Sequence, residues 1–181
     1  MSATILQQVS IIKSLPINFN LMKQIKFITA CMLIFLLTSC KKNECIEFSN
    51  SDYIVFGHFY GQCIGEHCVE IYKLQQDKLF EDSNDFYPLT INGFYTGNYV
   101  QLSQQKFAET KDLFQYFPAD LLKETQTIFG MPDAGDWGGY YIEYYINGMR
   151  KYHFFDKMFS KVPAKYHQFL NKVNEKIQQL Q

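Results

Sequence analysis

The stretch Gly139-Tyr140-Tyr141-Ile142-Glu143-Tyr144-Tyr145-Ile146-Asn147-Gly148-Met149-Arg150-Lys151-Tyr152-His153-Phe154-Phe155-Asp156 decides the fold. It holds two runs rich in aromatic and β-branched residues, each long enough for a strand, on either side of Asn147-Gly148. Asn-Gly tolerates positive φ at both central positions of a type I′ turn, the turn whose twist matches that of paired strands. The stretch therefore predicts an antiparallel hairpin with strands over 139–146 and 149–156. Successive strand side chains point to opposite faces, so Tyr140, Tyr141, Tyr144 and Tyr145 cannot all point inward.

Working toward the N-terminus, Asp52 to Tyr60 and Cys68 to Lys73 carry the same strand composition, with Gly61 closing the first. They predict a second hairpin through 61–67. Lys78 to Glu81 and Tyr95 to Leu102 are shorter strand candidates, separated by a loop with Asp82, Ser83, Asn84, Asp85 and Pro88. From Ser103 the period changes: Phe107, Phe114, Phe117 and Leu121 recur at helical spacing behind a Ser suited to capping the first turn. Pro118 interrupts or restarts that helix. After Pro163, Tyr166, Phe169, Leu170, Val173, Ile177 and Leu180 line one face of a last helix, with Lys161, Lys165, Lys172 and Lys176 on the others. That lysine stripe reads as a solvated face. The order strands, helix, strands, helix argues for an α+β domain, with an antiparallel sheet of about five or six strands and two helices packed on one face.

If helices cover one face only, the other exposes aromatics. Residues 40–181 contain 14 of the 17 Phe, all 13 Tyr and the one Trp. The segment Met131-Pro132-Asp133-Ala134-Gly135-Asp136-Trp137-Gly138-Gly139 reads either as a turn-rich entry to the hairpin or as a loop presenting an aromatic platform. Trp137, Tyr141 and Tyr145 are the candidate binding residues. Asp133 and Asp136 supply too few carboxylates for a good calcium loop.

The N-terminal part gives an address. Lys23 and Lys26 precede an apolar run from Phe27 to Leu37 and then Leu37-Thr38-Ser39-Cys40, the three parts of a secretory signal. Roughly 11 apolar residues are too few for a bilayer core that needs about 20. The Cys at the cut resembles the lipobox of lipoproteins of the Bacteroidetes type, and the resemblance implies acylation of Cys40 as the first mature residue. The expected organisation is an upstream extension or mis-assigned start over 1–21, a signal peptide over 22–39, lipidated Cys40 with a tether to residue 51, and one domain over 52–181. Lys41 and Lys42 stand where surface-export signals of that group are acidic, which favours the periplasmic side. Residues 1–39 hold Lys13, Lys23 and Lys26 and no acid, so 14 bases face 18 acids in 40–181, a net of −4. A chain of that charge beyond a membrane is no nucleic-acid binder.

Of five Cys, Cys31 lies in the signal and Cys40 at its cut, leaving Cys45, Cys63 and Cys68. Cys63 and Cys68 bracket the first hairpin loop and are close enough to form a disulfide in an oxidising compartment. The alternative is a zinc site from His58, Cys63, His67 and Cys68, a ligand set with the right chemistry but with His58 in mid-strand and adjacent residues pointing apart. A redox pair is disfavoured, since four residues separate the cysteines and no helix N-terminus activates them. His153 and His167 lack motif neighbours, and no Ser sits in a Gly-x-Ser-x-Gly elbow.

Cys63-Ile64-Gly65-Glu66-His67-Cys68-Val69-Glu70-Ile71-Tyr72 resembles a family of bacterial secreted and lipoprotein domains of unknown function. Its members carry Cys-x-Gly-x-Cys-Pro-x-Tyr, then a central helix, an Asp-rich segment, a hairpin and a final helix. The similarity covers most of 53–180, with one more residue between the cysteines here and Val69 in place of Pro. It implies a small α+β domain with a Cys pair at the first turn, and no activity. The expected function is a membrane-anchored, non-enzymatic binding or interaction domain of the cell envelope, needing no cofactor, with an envelope protein or glycan as partner. The alternatives are a metal-dependent or hydrolytic envelope enzyme and, by fold analogy alone, a peptidase-inhibitor-like module.

Overall fold

The computed structural model describes residues 46–89 and 93–181. The expectations for 1–21, 22–39, Cys40 and Cys45 lie outside the described residues. The described elements run β1 (Tyr53–Phe59), β2 (Val69–Gln75), β3 (Leu79–Asp82), β4 (Tyr99–Gln101), α1 (Gln104–Thr110), α2 (Leu113–Tyr116), α3 (Asp120–Lys123), β5 (Ile128–Phe129), β6 (Gly139–Ile146), β7 (Met149–Asp156) and α4 (His167–Leu180). The class is α+β. Seven strands form one sheet in the order β4-β3-β2-β1-β6-β7-β5, antiparallel except for the short β5, which lies parallel to β7.

The hairpin β6–β7 has the limits its sequence predicts, and Asn147 and Gly148 carry φ of 53° and 77°. Gly139 faces Asp156 and Ile146 faces Met149 across it. β1 sits between β2 and β6 and is buried over nearly its whole length, which explains its run of apolar residues.

Helices cover one face. Ile54, Phe56, Tyr72, Leu74, Ile142, Tyr144 and Ile146 of the sheet meet Phe107, Leu113, Phe117 and Leu121 and the apolar stripe of α4. Ser103 caps α1 by accepting from the Lys106 N–H at 3.3 Å. The expected single helix is broken into α1, α2 and α3, the last break falling at Pro118. Tyrosine hydroxyls fix the layers: Tyr144 donates to the Leu121 carbonyl at 2.7 Å and Tyr140 to Asn174 at 3.1 Å. The lysine stripe is only partly a solvated face, because Lys176 is buried and pairs with Asp112 at 2.8 Å.

Two expectations are corrected. Residues 46–51 are no tether: Ile46 and Phe48 pack on the helix layer, with the Phe48 ring 4.5 Å from Phe114. The second face of the sheet is not bare either. Val55, Phe59, Val69, Ile71, Tyr141 and Phe154 form a second core there, flanked by Tyr53, Tyr95, Tyr99 and Tyr152. The long connection between β3 and β4 covers it. Asp82 holds that connection by accepting from the Tyr95 hydroxyl at 2.5 Å and from the backbone N–H of Asn98 and Asp85. Phe94 then rests on Tyr152, with centroids 5.1 Å apart, and on the Arg150 guanidinium at 4.1 Å.

Candidate functional site

β1 begins beside the Asn147-Gly148 turn, where Asp52 accepts from the Asn147 N–H at 3.2 Å. It ends, about 20 Å further on at strand rise, among the loops that follow Phe59 and precede Val69 and Gly139 and the segment after Asp156. These loops make one end of the sheet, opposite the entry of the chain from residue 46.

Three segments there are tied together. In the first, Cys63 and Cys68 are joined in a disulfide with Cα atoms 5.5 Å apart, and the Tyr60 N–H closes the loop on the Cys68 carbonyl at 2.9 Å. In the second, Asp133 and Gly138 exchange two bonds: the Asp133 N–H donates to the Gly138 carbonyl and the Gly138 N–H to the Asp133 carboxylate, both at 2.9 Å. In the third, Tyr87 donates to the other Asp133 oxygen at 2.8 Å and lays its ring edge-on to Phe59 at 5.0 Å. Gly138, at φ 76°, lies against Tyr60 so closely that a Cβ would sit 2.5 Å from the ring. Only glycine fits that approach and that φ.

The loops carry apolar side chains into solvent. Ile64 is fully exposed, Trp137 and Met131 are 65% exposed, and Phe86 and Met158 are exposed as well. Behind them lies a polar cluster on the helix face of the sheet. Lys157 donates through Nζ to the Tyr60 hydroxyl and stands 4.0 Å from the Tyr60 ring centre and 5.2 Å from that of Tyr140. His58 is buried beside Tyr60, with centroids 5.2 Å apart. Its Nε2 bonds the His67 carbonyl at 3.1 Å. A carbonyl only accepts, so Nε2 bears the proton and Nδ1 is a bare acceptor, buried without a partner. Burial and the Lys157 charge lower His58 to about 4, and burial lowers Lys157 to about 8. Further back, Glu70 accepts from Tyr72 at 2.8 Å and from His67 at 3.2 Å.

The three aromatic candidates do not form one patch. Trp137 belongs to the loop end. Tyr141 is fully buried under Tyr95, whose backbone N–H donates to its hydroxyl at 2.9 Å, and it gives its own proton to Glu143 at 2.8 Å. Tyr145 lies near the opposite end of the sheet, stacked on Tyr53 at 5.8 Å. The alternation that turned Tyr141 and Tyr145 away from the helices is real, but the connection after β3 covers that face. The zinc alternative from His58, Cys63, His67 and Cys68 is likewise corrected: both sulfurs are consumed by the disulfide and His58 turns Nε2 to a carbonyl. His153 and His167 also donate to carbonyls, of Gln126 and Val162, each at 2.8 Å. They pin loops.

Sequence reasoning missed Lys157 and Tyr60. Alternation along β1 places His58 and Tyr60 on one face, which was readable; the arrival of Lys157 beside them depends on β6 pairing with β1. Elsewhere, an open groove is lined by Phe48, Gln76, Lys111 and Asp112, but Asp112 is already taken by Lys172 and Lys176. No model of a known family and no curated protein matches the chain.

Proposed function

We propose that this protein is a lipid-anchored, non-enzymatic binding domain of the cell envelope that meets its partner, an envelope protein or glycan, with the loop end of its sheet. The observation that carries this reading is the set of apolar side chains, Ile64, Phe86, Met131 and Trp137, exposed on loops that are braced within by the disulfide and the Asp133–Gly138 pairing and joined to one another by the Tyr87–Asp133 bond and the packing of Gly138 on Tyr60. Exposed apolar side chains on a braced frame bind without a large ordering cost, and aromatic anchors dominate such surfaces. The signal ending at Cys40 supports the anchor, and Lys41 and Lys42 support the periplasmic side of the membrane.

Two experiments test the reading. Cys40→Ala should leave the protein unprocessed and unlipidated; lipid-modified mature protein from that variant contradicts the anchor. Ile64→Ser with Trp137→Ala should abolish partner capture with the thermal midpoint nearly unchanged, since both side chains are largely in water. Undiminished capture contradicts the loop end as contact surface.

A further inference from the structure

We propose that Lys157, held against the rings of Tyr60 and Tyr140 with no carboxylate partner among the described residues, is the seat for a carboxylate-bearing ligand whose apolar body rests on the Trp137 loop. This rests on the loop end being the contact surface, and it names the ligand's chemistry.

Among the described residues Arg150 pairs with Glu143, Lys172 and Lys176 with Asp112 and Lys165 with Glu124, while Lys106 and Lys151 donate to backbone carbonyls and Lys73 lies over the rings of Tyr53 and Tyr99. Lys157 shares the ring contacts of Lys73 but stands at the loop end. Its polar partner is the Tyr60 hydroxyl and its other neighbours are ring faces. The nearest acid in sequence, Asp156, is occupied, accepting from the Met158 N–H at 2.7 Å and the Met131 N–H at 3.0 Å. An ammonium has three donors, and the Tyr60 hydroxyl takes one. Ring faces favour a cation but offer no negative charge, and the lowered basicity of this amine reflects the water it has lost. A ligand carboxylate would replace that water with a charge-assisted bond, the stronger kind. His58 supplies the second indication. It is buried and neutral beside Tyr60, so it adds no second positive charge next to Lys157.

The apolar half of the ligand follows from position. Lys157 donates to the Tyr60 hydroxyl, Gly138 lies against the Tyr60 ring, and the exposed Trp137 is the residue before Gly138, so the loop that carries the indole is the one packed beside the amine. Trp137 is the chain's one Trp, so its fluorescence reports on this loop alone.

The experiment titrates the purified protein with phenylacetate and with its uncharged isostere phenylacetamide, following Trp137 emission and binding heat. Phenylacetate should bind saturably and at least about tenfold more tightly than the amide, the factor expected of one charge-assisted bond. Lys157→Gln should lose that preference, Lys157→Arg should keep most of it, and Lys161→Gln should leave it unchanged. N-acetyl-Ala-Phe as free acid and as amide forms a second arm. A peptide acid that binds more tightly than phenylacetate marks a chain terminus as the source of the carboxylate, and the reverse order marks a small acid. Equal binding of acid and amide, no binding of either acid, or an acid preference that survives Lys157→Gln overturns the proposal. Undiminished partner capture by the variant carrying Ile64→Ser and Trp137→Ala bears separately on the contact surface, so the two failures are told apart.

Discussion

The Tyr87 hydroxyl donates to Asp133 at 2.8 Å across 46 residues of sequence, joining the connection after β3 to the loop before β6. The other Asp133 oxygen takes the Gly138 N–H, so one carboxylate holds two segments in register. Tyr87→Phe removes one partly exposed bond and should cost about 1 kcal/mol. Its larger effect should be local: hydrogen exchange at 133–138 should rise while β1 and β6 stay protected. Unchanged exchange would show that the backbone pairing of Asp133 and Gly138 holds the loop alone.

On the covered face of the sheet, Arg150 approaches the buried Glu143 with Nη2 at 2.7 Å and Nε at 2.9 Å. Tyr53 and Tyr141 donate to the same carboxylate at 3.1 and 2.8 Å, and burial together with Glu143 raises the Tyr53 hydroxyl to about 12. Arg150→Met leaves that carboxylate without its counter-charge and should cost about 2–3 kcal/mol in urea denaturation. An effect below about 0.5 kcal/mol would place the pair among solvent-screened surface bridges.

Burial and the facing charge of Lys157 hold His58 at about 4 in the folded protein, below its ordinary 6.5. Between these values the unfolded chain binds the extra proton, so stability is complete above pH 6.5 and falls as pH drops toward 4, by about 3 kcal/mol. His153, also lowered by burial, acts in the same direction. His58→Gln should flatten the acid limb of the stability curve by about the His58 share. An unchanged limb would contradict the buried neutral state.

With Cys63 and Cys68 bridged, a soluble chain starting at Cys45 should show one thiol that alkylates before reduction and two more after it. The double Ser variant should keep its sheet and lose about 2 kcal/mol, since the closed loop is short. Three free thiols in protein from an oxidising compartment would refute the bridge.

Local signals carried the elements whose structure is local. The Asn147-Gly148 turn, the strand limits at 139–146 and 149–156, the Ser103 cap and the last helix follow from residues next to one another. β5 was not legible, because a two-residue strand has no period of its own and exists only by pairing with β7. The cover over Tyr141 was hidden for the same reason. Tyr95 and Tyr99, four residues apart, suit a strand and a helix alike, and their placement comes from Asp82 and the sheet beneath. Of the site, Trp137 and the Cys63–Cys68 loop could be read from turn chemistry and spacing, whereas Tyr60 and Lys157, 97 residues apart, meet only through strand order.

The most direct measurement is photo-crosslinking in living cells, with a benzoylphenylalanine probe placed in turn at Ile64, at Trp137 and at Gln104 on α1, all exposed. The account predicts discrete adducts of one mass from Ile64 and Trp137 and none from Gln104. Adducts from Gln104 alone, or none from either loop position, would contradict the loop end as the binding surface.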